Sequence, residues 1–203
     1  MTIVCLTGNY GMGKSTVAKM FSRLGAITID TDMVVHKLLD DEDVVSEVKK
    51  AFGDDVEVDG RLNKRLISKA VFSYPHLRIS LENILHPRVF REVDAKAAEL
   101  ARLNPYSILI VEAPVIFERG YQGRFDRIIT VFTSEETALR RLADKGVSVD
   151  EARIRLNSQF PIEKKLAGSD FTIDNNDDME HTLEQARHIY SELVASGSEH
   201  GNN

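Results

Sequence analysis

Tryptophan is absent from this chain, and cysteine occurs once, as Cys5. A single thiol rules out an intrachain disulfide, so the fold must rest on a packed core, and Cys5, inside an apolar run, reads as a buried structural thiol. Long apolar runs are missing as well. No stretch approaches the ~20 residues that cross a bilayer. The first residues enter a strand pattern without a basic, then apolar, export segment, which makes the cytoplasm the expected compartment. An excess of positive charge is also lacking: 26 Lys/Arg against 32 Asp/Glu leave −6, which argues against general nucleic-acid binding. No membrane association and no obligate protein partner are expected. Without repeats or a flexible linker, 203 residues suit one sizeable α/β core with room for a small inserted subdomain.

What is present is concentrated at the start. Ile3-Val4-Cys5-Leu6 runs into Gly8-Asn9-Tyr10-Gly11-Met12-Gly13-Lys14-Ser15, the G-x-x-x-x-G-K-[ST] phosphate loop between a strand and a helix. Gly8, Gly11 and Gly13 let the backbone N–H groups, including that of Met12, turn toward phosphate oxygens, and the following helix adds its positive end. Lys14 reaches the β/γ-phosphates, Ser15 offers its hydroxyl to Mg²⁺, and Thr16 opens the helix. A nucleoside triphosphate, ATP, with Mg²⁺ is the ligand this pattern predicts.

Beyond the loop, strand and helix patterns alternate: a helix over 14–24, stopped at Gly25, a strand over 27–29, and a helix over 34–39. Asp40–Asp43, Gly53-Asp54-Asp55 and Asp59-Gly60 then read as breaks. Residues 61–103 read as helical, interrupted near Ser73-Tyr74-Pro75 and at His86-Pro87, with no convincing strand between 44 and 103. Ile108-Leu109-Ile110-Val111 predicts a strand buried on both faces, and 128–132 and 171–173 predict two more. Ser134 caps a helix over 135–143, Ser148 and Glu151 form a capping box for the next, and a closing helix spans 178–195. This alternation predicts a three-layer α/β/α fold around a parallel sheet. The core takes about 1–43 and 104–195, a helical insertion 44–103, and a structureless tail 196–203.

Two further features touch function. Asp30-Thr31-Asp32 lies at the carboxyl end of the second strand, where parallel sheets place ligands. In extended backbone both carboxylates project to one side. Each can be a cap or turn residue; alternatively one orients or deprotonates an acceptor hydroxyl while the other serves the metal's water shell, and Asp32 is the stronger functional candidate. From Arg61 to Lys96, eight Lys/Arg face three Asp/Glu, a local balance of +5. That is either a solvated helix face or a site for an anionic second substrate.

The residues taken in order resemble the dephospho-coenzyme A kinase family. The likeness runs from Leu6-Thr7-Gly8 and Ser15-Thr16-Val17-Ala18 through Ile29-Asp30-Thr31-Asp32, Leu62-Asn63-Lys64-Arg65, Val71-Phe72-Ser73 and Leu85-His86-Pro87. It continues through Pro114-Val115-Ile116-Phe117-Glu118, Ser158-Gln159-Phe160-Pro161 and Ile173-Asp174-Asn175. The resemblance implies a P-loop NTPase fold and transfer of a phosphoryl group from ATP to the ribose 3′-hydroxyl of dephospho-CoA. It implies Asp32 as base or orienting group, and His86, Lys64 and Arg65 on the acceptor side. It also implies a cationic lid over about 138–158 and a turn at Asn175 along the adenine. Arg140, Arg141 and Lys145 are the lid candidates for contacting phosphate, with Arg140 the candidate for the transition state.

Three positions depart from the family's pattern. Asn9-Tyr10 stands where Gly-Ile is usual, Asp144-Lys145 where Arg-Asp is frequent, and Glu112 where Asp is frequent after the central strand; Glu112 can still meet Mg²⁺ through water. The rivals are another small P-loop kinase, acting on a nucleoside monophosphate or metabolite alcohol, and a regulatory NTPase switch. The switch would need an Asn/Thr-Lys-x-Asp base-reading element, and the sequence has none.

Overall fold

The structure, a computed structural model, describes residues 1–58 and 61–199. In chain order it contains strand β1 (Thr2–Thr7), helix α1 (Lys14–Leu24), β2 (Ile27–Asp30), α2 (Thr31–Leu38), α3 (Glu42–Phe52), β3 (Glu57–Val58), β4 (Arg61–Leu62), α4 (Lys64–Ser73) and α5 (Pro75–Leu103). Then follow β5 (Ile108–Glu112), α6 (Ile116–Arg119), β6 (Arg127–Phe132), α7 (Glu135–Ala143), α8 (Val149–Asn157), α9 (Ile162–Ala167), β7 (Phe171–Asp174) and α10 (Met179–Glu199). The chain divides into two compact units, one of residues 1–30 and 97–203, the other Thr31–Lys96.

The first unit carries a five-stranded sheet in the order β2-β5-β1-β6-β7, parallel throughout. β1 lies at its centre because β1 and β5 are almost continuously apolar and need burial on both faces. Val4, Leu6, Ile110, Ile129, Val131 and Ile173 pack against Val17, Met20 and Phe21 of α1 and Ala186, Ile189 and Leu193 of α10. The spacing of Val17, Met20, Phe21 and Leu24 puts all four on one stripe of α1. Phe21 is wholly buried, worth about 1.5–3 kcal/mol in removed apolar surface. The predicted α/β/α architecture with its parallel sheet is the one found.

The second unit has its own core, Leu39, Val44, Val48, Val56, Leu62, Ile67 and Leu85, and it departs from the sequence-based expectation in four ways. First, the acidic stretch at 40–43 starts a helix instead of breaking the pattern. Asp41 caps α3 by accepting from the Asp43 N–H at 3.0 Å, and Val44 and Val48 supply its buried side. Second, a short antiparallel ladder pairs Glu57 with Leu62 and Val58 with Arg61 where no strand was expected; Asp59-Gly60, the predicted turn between them, lies outside the described residues. Third, α5 runs unbroken through His86-Pro87. A proline inside a helix lacks the N–H that should meet the carbonyl four residues back, so the helix gives up one backbone bond there; the neighbouring Arg88 side chain braces the same turn, donating Nη1–H to the Ile84 carbonyl at 2.7 Å and pairing with Glu47 at 2.7 Å. Fourth, the unit begins at Thr31 and ends at Lys96, because Leu39, just after α2, belongs to this core.

At the carboxyl end α10 continues through residues 196–199, so that part of the expected tail is helical; residues 200–203 lie outside the described residues. Among the described residues no helix is long and apolar enough to cross a membrane.

Candidate active site

The phosphate loop connects the central strand to α1, so its backbone is fixed from below by the sheet. Gly8 has φ +143°, and a Cβ there would collide with the Val131 carbonyl of the adjacent strand. Gly13, at φ +96°, is the N-cap of α1, and a Cβ there would strike the Asn175 side-chain amide. Both positions therefore require glycine for space as well as for dihedral angle. Gly8→Ala is expected to lower stability by about 2–4 kcal/mol through strain and overpacking, read as a shift in the urea midpoint. An unchanged midpoint would mean that β6 yields at Val131.

Around this loop the polar groups are ordered. The Lys14 ammonium donates to the carbonyls of Gly8 at 3.0 Å and Asn9 at 3.2 Å, which holds it folded over the loop. Ser15 Oγ donates to Glu112 Oε1 at 2.8 Å, so the hydroxyl and the carboxylate ending β5 share one spot. Two hard oxygen donors side by side fit Mg²⁺, which takes few protein ligands and completes its shell with water and phosphate. Met12 is buried and its carbonyl accepts from Asn175 Nδ2 at 3.0 Å. Thr182 on α10 donates to Asn175 Oδ1 at 3.1 Å, so both ends of the amide are used beneath the loop. Thr16 N–H bonds back to the Gly13 carbonyl at 3.0 Å and opens the helix.

The lid candidates differ among themselves. Arg140 and Lys145 are exposed. Arg141 is half-buried, and its Nη1, shielded from solvent, has no hydrogen-bond partner. That atom lies 3.8 Å from where a Cβ on Gly13 would sit, at the amino end of α1. An unpaired guanidinium N–H beside a helix N-terminus is a ready donor for an anion.

The acceptor-side candidates Asp32, His86, Lys64 and Arg65 belong to the second unit, while Asp30 closes a strand of the first. Asp30 ends β2 and Asp32 stands in the first turn of α2. The extended alternation that would set both carboxylates on one side is therefore replaced by a strand end and a helix start, where an acid is favoured by the helix dipole. His86 is half-buried on α5. Lys64 donates to the His36 carbonyl at 3.4 Å and lies 3.8 Å from Asp40. Arg65 is exposed in the first turn of α4, whose N-cap Asn63 accepts from the Arg65 and Leu66 N–H groups.

Sequence reasoning missed a buried ion pair in the first unit. Lys165 of α9 is fully buried, 2.8 Å from Glu118 of α6, and also donates to the Pro114 carbonyl at 2.7 Å. Burial pulls the Lys165 pKa below the ordinary lysine value, against the opposing pull of Glu118. No local pattern announces this pair, because its partners are far apart in the chain; only Glu118 stood inside a family signature. Near it, burial pushes the Cys5 thiol well above its ordinary pKa, which leaves it unreactive as expected of a structural cysteine.

The profile of the dephospho-CoA kinase family matches residues 2–181. A dephospho-CoA kinase of Syntrophotalea carbinolica is 34% identical over 197 residues, covering 96% of this chain and 93% of the relative. Among solved structures, TT1252 from Thermus thermophilus superposes with a TM-score of 0.83 at 32% identity, covering 95% of this chain and 97% of that one. A shikimate kinase from Acinetobacter baumannii shares the fold alone, with a TM-score of 0.56 at 16% identity over 97% of this chain and 94% of that one. The phosphate loop, the parallel sheet beneath it and this agreement along nearly the whole length lead to one conclusion: the chain belongs to the dephospho-CoA kinase family.

Proposed function

We propose that the chain transfers the γ-phosphoryl group of ATP to the ribose 3′-hydroxyl of dephospho-CoA, giving CoA and ADP. The observation that carries this reading is the arrangement at the amino end of α1, where Lys14 folds over the loop carbonyls and Arg141 holds an unpartnered donor beside Gly13. Phosphoryl transfer is chiefly positioning and neutralisation of spreading charge, and those groups supply both. Gly8, Gly11, Met12, Gly13, Lys14, Ser15 and Thr16 hold the triphosphate. Arg141 is the favoured lid contact, with Arg140 and Lys145 as exposed cations able to close over it. Asn175 acts on ATP through the loop it supports.

Mg²⁺ would be held by Ser15 directly and by Glu112 through water; when bound it neutralises charge on the β- and γ-phosphates. Asp32 takes or orients the proton of the acceptor hydroxyl. As the new O–P bond forms, the bond to the β–γ bridging oxygen breaks and the electron pair leaves with ADP. His86, Lys64 and Arg65 bind the anionic acceptor, in keeping with the local positive balance of residues 61–96. We assign the reaction to the cytoplasm, a compartment that supplies ATP and keeps Cys5 a free thiol.

The substrate is tested by offering dephospho-CoA, nucleoside monophosphates and shikimate in parallel and following ADP release. Turnover with dephospho-CoA alone is expected; turnover with another acceptor and none with dephospho-CoA refutes the reading. Asp32→Asn is expected to lower kcat by about 10²–10⁴-fold, the range of general-base contributions, with KM for ATP nearly unchanged. Loss of ATP binding with acceptor handling intact would remove Asp32 from that role.

A further inference from the structure

Two stretches singled out in the sequence, Pro114–Glu118 and Ser158–Pro161, contain no residue assigned to the chemistry, yet they meet at the phosphate loop. Gln159 Oε1 accepts from the Tyr10 N–H at 2.8 Å. The Phe160 carbonyl accepts from Asn9 Nδ2 at 3.0 Å. The Phe160 N–H in turn donates to Glu118 Oε1 at 2.8 Å, the same oxygen that pairs with the buried Lys165. We propose that Ser158–Pro161 is a strap holding the outer limb of the phosphate loop, with Gln159 and Asn9 as positioning residues and the Lys165–Glu118 pair as the anchor.

The strap's placement explains why its position is rigid. A buried charge pair has few alternative geometries, since each partner would lose its counter-charge on moving. Lys165 is additionally held by the Pro114 carbonyl, so the anchor is tied both to the loop that follows β5 and to α6, which carries Glu118. From there one residue, Phe160, bridges the anchor to Asn9, its N–H meeting Glu118 and its carbonyl meeting Asn9. Gln159 and Phe160 also help line a cavity of about 740 Å³ that opens beside Asn9 and Met12.

The limb it holds, Asn9-Tyr10, is where this chain departs from the family's usual Gly-Ile. A glycine at position 9 has no side chain to reach Phe160, so Asn9 is a second tie added to the one from Gln159. Asn9 is 6% exposed; its Nδ2 finds the Phe160 carbonyl, while its Oδ1 is buried with no hydrogen-bond partner, so the Nδ2 bond is the one that offsets burial of the amide. The Arg155 guanidinium of α8 lies 4.9 Å from the centre of the Tyr10 ring, so the lid helix leans on the same limb. Movement of the lid is thereby felt by the backbone that receives the phosphates, whose charge-assisted bonds weaken with small displacements.

The proposal rests on the loop being the ATP site, and its test separates the two. Gln159→Met removes the acceptor with little change of volume, on a half-buried side chain that the core does not need. Amide exchange at Tyr10 is expected to quicken by about tenfold or more, as for an amide released to local opening. KM for ATP is expected to rise about three- to tenfold, the range of one lost hydrogen bond, while KM for dephospho-CoA and the melting temperature hold. Gln159→Glu keeps an acceptor oxygen and should retain Tyr10 protection, and adding Asn9→Gly to Gln159→Met should deepen the ATP defect. Unchanged exchange at Tyr10 in Gln159→Met, or a parallel rise in both KM values with a falling melting temperature, overturns the strap. If the wild-type enzyme does not use ATP, the Tyr10 exchange rates still decide the matter.

Discussion

Replacing Lys14 with alanine is expected to lower phosphoryl transfer by roughly 10²–10³-fold or more, the cost of deleting one preorganised group that stabilises transition-state charge. The fold should survive, because the Lys14 side chain is only half-buried and its bonds run to loop carbonyls rather than into the core. Thermal unfolding should therefore stay near the wild-type midpoint while single-turnover transfer collapses. The loss should appear in kcat more than in the KM for ATP, since the loop backbone and the α1 terminus still bind the triphosphate. Transfer at wild-type rate would remove the ammonium from the mechanism. A fall in activity that tracks a fall in melting temperature would instead make Lys14 a structural residue.

Lys165→Met should have the largest effect on stability. The substitution fits the channel of the alkyl stem but strands the Glu118 carboxylate, whose side chain is 8% exposed. Removing one partner of a buried pair costs about 3–5 kcal/mol, visible as a lower urea midpoint at constant slope. The double variant Lys165→Met/Glu118→Gln discards both charges and keeps an oxygen for the Phe160 N–H, so it should recover more than half of the loss. Wild type and Lys165→Met should also differ in the pH dependence of their stability. Because the folded-state pKa of Lys165 is lowered, the unfolded chain binds more protons between that value and the ordinary lysine pKa, so its contribution to stability rises with pH in that window. Lys165→Met lacks this contribution. A single variant as stable as wild type would show that water reaches Glu118 and that the pair anchors nothing.

Legibility in the sequence followed the range of the forces involved. α1 could be read because its apolar stripe, its glycine loop and its closing Gly25 are all local, and Ser134 and Ser148 cap α7 and α8 as their spacing predicts. Reading failed where local signals conflicted. The acidic run at 40–43 looks like a break until Asp41 is seen as a cap, and Pro87 looks like a stop, although α5 runs through it at the loss of one backbone bond. Extended backbone would set Asp30 and Asp32 on one side, and the helix that begins at Thr31 removes that geometry.

At the site the same division holds. Lys14, Ser15 and the glycines stand within eight consecutive residues, so chain spacing alone brings them together. Glu112 reaches Ser15 only because β1 and β5 are neighbours in register, Leu6 opposite Glu112. Arg141 could not be told from Arg140 or Lys145 by charge; a difference in burial, decided by how α7 packs, leaves one Nη1 shielded and unpaired. The phosphate loop, the parallel α/β class and the family are written in contiguous motifs and hydrophobic periodicity, which need no folded context to be read. The Lys165–Glu118 anchor, the hold of Gln159 and Asn9 on the loop, and the Thr182–Asn175 support beneath it emerge only on folding. Those contacts join residues many positions apart, and hydrogen bonds and buried charges of that kind exist only once packing has excluded water between them.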